Sequence, residues 1–289
     1  MLFRSAFFNC ESLTSLKLPS TLTTIGDSVF KNCKKLKSLN IPDSIKTIKY
    51  DTFSNCESLT SLELSDKLTT IGNNAFQNCK KLKSLTIPNS IKVIKKYTFY
   101  HCINLTSLTL PDNLTIIGGG AFQNCKKLKS LIIPNSVTNI GHSAFSECKM
   151  LKSLTIPNLV RSIGENAFYF CNSLKSLELS NTLKKIPSGA FQNCKKLESL
   201  IIPNSVTTIG KEAFKNCEKL KSLTLSDKLT TIGDNAFQNC KKLKSLTIPN
   251  SVATIGEKAF YNSNIKYVIF YKNVSDLKSE NIWKQKNNQ

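Results

Sequence analysis

The chain has 289 residues, 40% hydrophobic and 20% charged, a balance that fits a folded protein and excludes a wholly disordered one. No run of 18 apolar residues occurs, which excludes a membrane-spanning helix, and residues 1–8 read as a poor signal peptide, without a basic start and a long apolar core. The net charge is +21, carried by Lys with only two Arg (Arg4 and Arg161), while two His (His101 and His142) and one Trp (Trp283) leave little for histidine catalysis or histidine-rich metal sites.

The chain opens in the middle of a repeat unit, and Phe3, Phe7 and Phe8 arrive almost together. A first strand is expected near Ser15 and Leu18, with no cap over it and the core beneath it exposed. An open strand edge with apolar residues invites pairing with another chain, so a two-fold homodimer through this end, at Phe3, Phe8, Ser15 and Leu18, is expected. From Cys10 the cysteines fall at 33, 56, 79, 102, 125, 148, 171, 194, 217 and 240, every gap being 23 residues, and the next slot holds Ser263. Phenylalanine keeps the same beat from Phe7 to Phe260. Such coincidence marks a repeat array: about 12 units over residues 1–274, followed by a polar cap or tail at 275–289.

One unit, residues 243–260, serves for all. Leu246 and Ile248 alternate with Ser245 and Thr247, the period of a strand with one face inward. Pro249 cannot donate to a ladder and ends the strand, and Asn250-Ser251 is turn chemistry. Val252 and Ile255 point inward in a second short extended stretch. Gly256 then offers an easy left-handed backbone, although Lys49, Lys95 and Pro187 hold that slot in three units. Ala259-Phe260 is expected to start a helical or 3₁₀ turn that places Phe and Cys in the core. A 23-residue turn cannot bury its own apolar face, so stacked turns share one core in which Leu, Phe and Cys form ladders. The fold class is thus an α/β repeat solenoid with a parallel sheet, its twelve turns spanning roughly 55–60 Å at about 4.8 Å per strand. Units reading Ile-Pro-Asn-Ser, as at 87–90, partly alternate with units reading Leu-Ser-Asp-Lys, as at 64–67, which gives a local period of 46 residues and points to duplication of two-unit blocks.

The Cys column admits three readings. Zinc needs close clusters such as Cys-x₂-Cys, which are absent, and four ligands do not converge from one buried ladder. Disulfides between turns are not excluded by distance, but eleven is odd. Free cysteine as a small buried hydrophobe fits a packed ladder, so all or nearly all eleven are expected free and buried. The Ser column, at Ser38, Ser61 and their copies, has no His or acid column to activate it, so an outward hydroxyl ladder is expected rather than a nucleophile. His101 and His142 read as solvated loop residues. Gly118-Gly119-Gly120 is no phosphate loop, because no Gly-Lys-Ser/Thr follows. No cofactor and no metal are expected.

Charge placement says more. Lysines recur directly after Cys at 34, 80, 126, 149, 195 and 241, and again in the two columns that precede the strands. The rim they form is represented by Lys34, Lys35, Lys37, Lys80, Lys81, Lys83, Lys126, Lys127, Lys129, Lys195, Lys196, Lys241, Lys242 and Lys244. Such a rim suits an acidic protein or anionic polymer; equally, it serves as a solvated surface that keeps the chain soluble. Specific nucleic-acid readout prefers Arg and exposed aromatics, which are scarce. Lys-Lys-Leu-Lys, as at 34–37, also resembles a basic nuclear-import string. The variable column on the sheet (Lys17, Asn40, Glu63, Thr86, Thr109, Ile132, Thr155, Glu178, Ile201, Thr224 and Thr247) holds no Trp, Tyr or Arg. It suits a repetitive or extended partner bound at many points, not a small-molecule pocket.

At the far end the repeat degenerates: Ser263 replaces Cys, and residues 265–270 read as a last strand with one residue deleted before it. Leu277, Ile282 and Trp283 are expected to fold over the last turn as a cap.

The Leu-x-x-Leu-x-Leu/Ile frame resembles a leucine-rich repeat, and the string L-x-x-L-x-I-P-x-S-V-x-x-I-G-x-x-A-F-x-x-C, clearest at 128–148 and 197–217, resembles the BspA-like (Treponema pallidum type) subfamily over residues 5–270. The resemblance implies a curved solenoid that binds proteins, often on microbial or parasite cell surfaces, without enzyme activity. The secretion signal and anchoring segment of bacterial surface members are not found. The expected function is therefore a non-enzymatic protein-binding scaffold, cytoplasmic and open to nuclear import, with a cell-surface adhesin as the alternative.

Overall fold

Each turn contributes two short strands because each has two places where a buried aliphatic alternates with a polar neighbour. The first column holds ten strands: Ser38–Asn40, Ser61–Glu63, Ser84–Thr86, Ser107–Thr109, Ser153–Thr155, Ser176–Glu178, Ser199–Ile201, Ser222–Thr224, Ser245–Ile248 and Tyr267–Phe270. The second holds ten two-residue strands, from Thr47–Ile48 to Thr254–Ile255. The computed structural model describes residues 3–270, so the expected cap with Leu277, Ile282 and Trp283 lies outside the described residues.

All strand pairs are parallel and in register at the repeat length, as in Leu39↔Leu62 and Ile48↔Ile71. The last pair, Leu246↔Val268, steps one residue short and so absorbs the deletion read from the sequence. The phenylalanine column counts twelve members from Phe7 to Phe260, yet among the described residues ten turns carry first-column strands. Ser15 makes an isolated bridge to Ser38, and the turn at Ser130 carries no first-column strand.

Phenylalanine rings stack without a gap from Phe7 to Phe260, with centroids 5.3–5.5 Å apart and planes within 1–10°. That step exceeds the roughly 4.8 Å between paired strands. The first-column strands present the sheet surface, called the concave face below.

Among the described residues there is no helix, which corrects the expected α/β class and its helical or 3₁₀ turns. The reason lies in residues 72–79. Three N–H groups, of Asn74, Phe76 and Asn78, donate to Lys96, Thr98 and Tyr100 of the next turn at 2.8–3.0 Å. The N–H groups between them, of Ala75, Gln77 and Cys79, close local turns onto Gly72, Asn74 and Phe76. A helix would need every N–H for its own preceding turn. Asn74 and Asn78 also sit at φ of 56° and 58°, a left-handed conformation that stops helix propagation, and the same two slots are left-handed in every turn.

The glycine after the second strand is therefore not the left-handed residue. Its place is set by space: a Cβ at Gly72 would meet the Lys49 carbonyl carbon at 2.5 Å, and one at Gly141 the Gly119 nitrogen at 2.5 Å.

The first-column ladder is interrupted. Its strands pair two by two, 38 with 61, 84 with 107, 153 with 176, 199 with 222 and 245 with 267, and every break precedes an Ile-Pro unit. The 46-residue block read from the sequence is thus also the unit of strand pairing.

Candidate functional site

The concave face is built from the outward positions of the first-column strands. The central leucines, such as Leu39, Leu85 and Leu154, are buried, and the residues on either side of each are exposed. Ser38, Ser61 and their copies form the expected outward hydroxyl ladder. Shallow clefts run along the face; one of about 1050 Å³ lies over the joined strands of the first turns, lined by Lys17, Asn40, Asp43, Ser61 and Glu63. Two more lie across breaks in the ladder, one between Glu63 and Thr86 and the other between Thr224 and Thr247.

The lysine rim stands before these strands, as its position in the unit requires, but its columns are not equivalent. After Cys, lysine alternates with acid in neighbouring turns: Lys34 meets Glu11 at 2.7 Å, Lys80 meets Glu57 at 2.9 Å, and Lys195 meets Glu218 at 3.2 Å. Lys80 and Lys126 are half-buried. By contrast Lys35, Lys37, Lys81, Lys83, Lys127, Lys129, Lys196, Lys241, Lys242 and Lys244 are exposed and pair with no carboxylate among the described residues. The free positive charge therefore lies mostly in the two columns nearest the strands, joined by Lys241 from the column after Cys, while Lys221 beside the strands meets Glu198 at 3.6 Å.

The eleven cysteines are unpaired; ten are buried and Cys10 is exposed. Each buried thiol donates to the carbonyl of the Phe in the preceding turn at 3.2–3.6 Å, and Ser263 repeats the bond to Phe237 at 3.1 Å. The column is thus a set of inter-turn hydrogen bonds as well as a hydrophobic one, which is why serine can end it. Burial, and then the neighbouring Cys10, pushes the Cys33 thiol up to about 11. Burial pushes Cys102 and Cys171 up to about 12. Among the described residues no three metal-ligating side chains come together.

The sequence reading missed an asparagine ladder beside this column. Asn9, Asn32, Asn55 and Asn78 link side chain to side chain at 2.7 Å, and Asn193, Asn216, Asn239 and Asn262 do so at 2.6–2.8 Å. The recurring Asn-Cys string was its signal. His101 occupies one of these slots, left-handed at φ 61° and edge-on to Tyr100. Partial burial, then Lys126 and Lys80, lowers its pKa. His142 is exposed in a loop. Gly120, at φ 61°, leaves room for the ring of Tyr97, which a Cβ would meet at 2.3 Å.

At the N-terminal end Phe3 and Phe8 are 73% and 43% exposed, and Ser15 is exposed. Leu18 is buried in the shared core together with Leu22, and Phe7 stacks on Phe30, so the expectation of a bare core under the first turn is corrected.

The BspA type Leucine rich repeat region (6 copies) family model matches residues 2–129, 92–217 and 161–288. A leucine-rich repeat protein from Bacteroides ovatus is 31% identical over 98% of this chain and 87% of its own, with a TM-score of 0.69. A leucine rich cell surface protein from Faecalibacterium prausnitzii is 27% identical over 91% and 89%, with a TM-score of 0.58. The T. pallidum leucine rich repeat protein is 26% identical over 71% and 91%, with a TM-score of 0.52. Among curated proteins nothing matches the chain. The family model spans nearly every turn, and its period is the one that stacks the phenylalanines: the chain belongs to the BspA type leucine-rich repeat family.

Proposed function

We propose that the chain is a non-enzymatic protein-binding scaffold whose concave face and lysine rim engage an acidic, extended part of another protein. The observation that carries this is the set of rim lysines beside the strands, such as Lys81, Lys83, Lys127 and Lys129, exposed and free of intramolecular carboxylates among the described residues, next to a face with no activated nucleophile. Exchanging Lys81, Lys83, Lys127 and Lys129 for Glu tests it, with poly-glutamate as probe. Binding is expected to weaken at least tenfold, more than when Lys46, Lys92, Lys184 and Lys228, which lie off the rim, are exchanged instead. Equal losses in both variants make the rim a solvated surface.

The setting supported by the relatives is display on a cell surface rather than the cytoplasm or nucleus, since a 27% identical relative that matches the chain over 91% of its length is a cell surface protein. Trypsin added to intact native cells should then remove the chain, and full protection places it inside.

A further inference from the structure

Three isoleucines stand on the concave face with their side chains in solvent: Ile132 is 85% exposed, Ile201 68% and Ile269 55%. The pairings Ile201↔Thr224 and Thr247↔Ile269 put the last two in one column, three turns apart, and the repeat length puts Ile132 three turns before Ile201. Between them the column is polar, with Thr155 and Glu178 in the first gap and Thr224 and Thr247 in the second. Threonine fits a strand as well as isoleucine does and exposes less apolar surface. Duplication accounts for the likeness of the Ile132 and Ile201 units, which share Ser-Leu-Ile-Ile-Pro-Asn-Ser-Val. It does not account for Ile269, which arises in an unrelated string, Tyr-Val-Ile-Phe, at the next three-turn step. A basic rim flanks all three, with Lys127 and Lys129 before Ile132, Lys196 before Ile201, and Lys266 before Ile269.

Three turns advance about 14 Å at about 4.8 Å per paired strand; pairing supplies one step of the first interval and two of the second, and the backbone bonds of Lys152 N–H to Lys129 and Glu198 N–H to Lys175 hold the two unpaired steps of the first. An extended chain laid along the array advances about 13.5 Å in four residues, and residues four apart share one face of it. A helix covers that distance in about nine residues, which puts the two contact residues on opposite sides. We infer that the concave face binds an extended, acidic segment of a partner protein that carries an aliphatic side chain at every fourth residue, seated on Ile132, Ile201 and Ile269. This rests on the protein-binding reading above and adds to it the register of the partner.

The test uses the full chain and two labelled 13-residue peptides of one Glu- and Ser-rich composition, followed by fluorescence anisotropy. One has Ile at positions 3, 7 and 11; the other has Ile at 3, 6 and 9, so that successive side chains alternate faces. The first is expected to bind at least tenfold more tightly. I132T and I201T should each remove most of that advantage without lowering the melting temperature, since Thr fills the same slot in other turns. Equal binding of the two peptides, weakened by salt and by the Lys81, Lys83, Lys127 and Lys129 exchange, overturns the register and leaves the rim reading standing. Binding of neither peptide overturns both.

Discussion

On the turn side, phenylalanine rings stack from Phe7 to Phe260, and each turn sends backbone N–H groups and a thiol to its neighbour. On the strand side, every break in the first-column ladder precedes an Ile-Pro unit and its strands are joined in pairs, while the second-column strands form longer runs, four strands from Val93 to Ile163 and four from Lys185 to Ile255. The array is therefore held continuously along the phenylalanine side, whereas its first-column strands pair only in two-turn blocks. Cohesion that does not depend on the concave face leaves its outward positions free to vary, as their mixture of Lys, Asn, Glu, Thr and Ile shows. The largest way to break the turn side is to charge it. The buried thiols keep their protons in the fold, with Cys33 up at about 11 and Cys102 and Cys171 at about 12, whereas an unfolded chain releases them from about pH 8.5. Their contribution is complete below that pH and is lost as pH rises toward the folded values, by about 1.4 kcal/mol per thiol per pH unit. Circular dichroism under reducing conditions should show loss of the fold between pH 9 and 11. A native spectrum at pH 11 contradicts the ladder's burial.

Next in size is a single ring. Phe122→Ala removes a fully buried side chain stacked on Phe99 and Phe145, at a cost of about 3–5 kcal/mol. Thr155→Ala, on the concave face, should change stability by less than about 0.5 kcal/mol. Urea midpoints of the two variants measure the contrast directly; comparable losses would mean that the two sides share the load.

What could be read beforehand follows the same division. A column needs only spacing, so the Phe, Cys and Leu ladders, the parallel register and the short step before Val268 were all legible from residues 23 apart. The absence of a helix was not, because Ala-Phe-Gln-Asn-Cys is compatible with one. The bonds that override it, such as Phe76 N–H to Thr98, join residues of different turns. The role of glycine was misread for the same reason: the obstacle at Gly72 is the backbone of Lys49, one turn away. Which lysines of the rim are free depends on acids in adjacent turns. Glu57 takes Lys80 and leaves Lys81.

A smaller effect separates the two roles of cysteine. Cys125 is fully buried and its thiol donates to the Phe99 carbonyl at 3.4 Å. Cys125→Ala loses both the sulfur's packing and the bond, about 1–2 kcal/mol in all. Cys125→Ser keeps a donor, as Ser263 does at the end of the column, and should cost less than Cys125→Ala. If the alanine variant is the more stable of the two, the thiol acts through its packing alone.

The smallest change tests the asparagine ladder at its gap. His101 sits between Asn78 and Asn124 in the left-handed conformation that asparagine tolerates better than most residues. In the continuous runs each asparagine donates to the one before it and accepts from the one after, as Asn55 does with Asn32 and Asn78. His101→Asn would let the new side chain donate to Asn78 and accept from Asn124, two amide bonds of about 1 kcal/mol each at most. It gives up the edge contact with Tyr100, about 0.5–1 kcal/mol. The net gain expected is about 1 kcal/mol, seen as a higher urea midpoint with an unchanged slope. An unchanged midpoint would mean that the amides only replace bonds that water makes equally well. The turn side would then owe its continuity to the rings, the thiols and the backbone, without the asparagines.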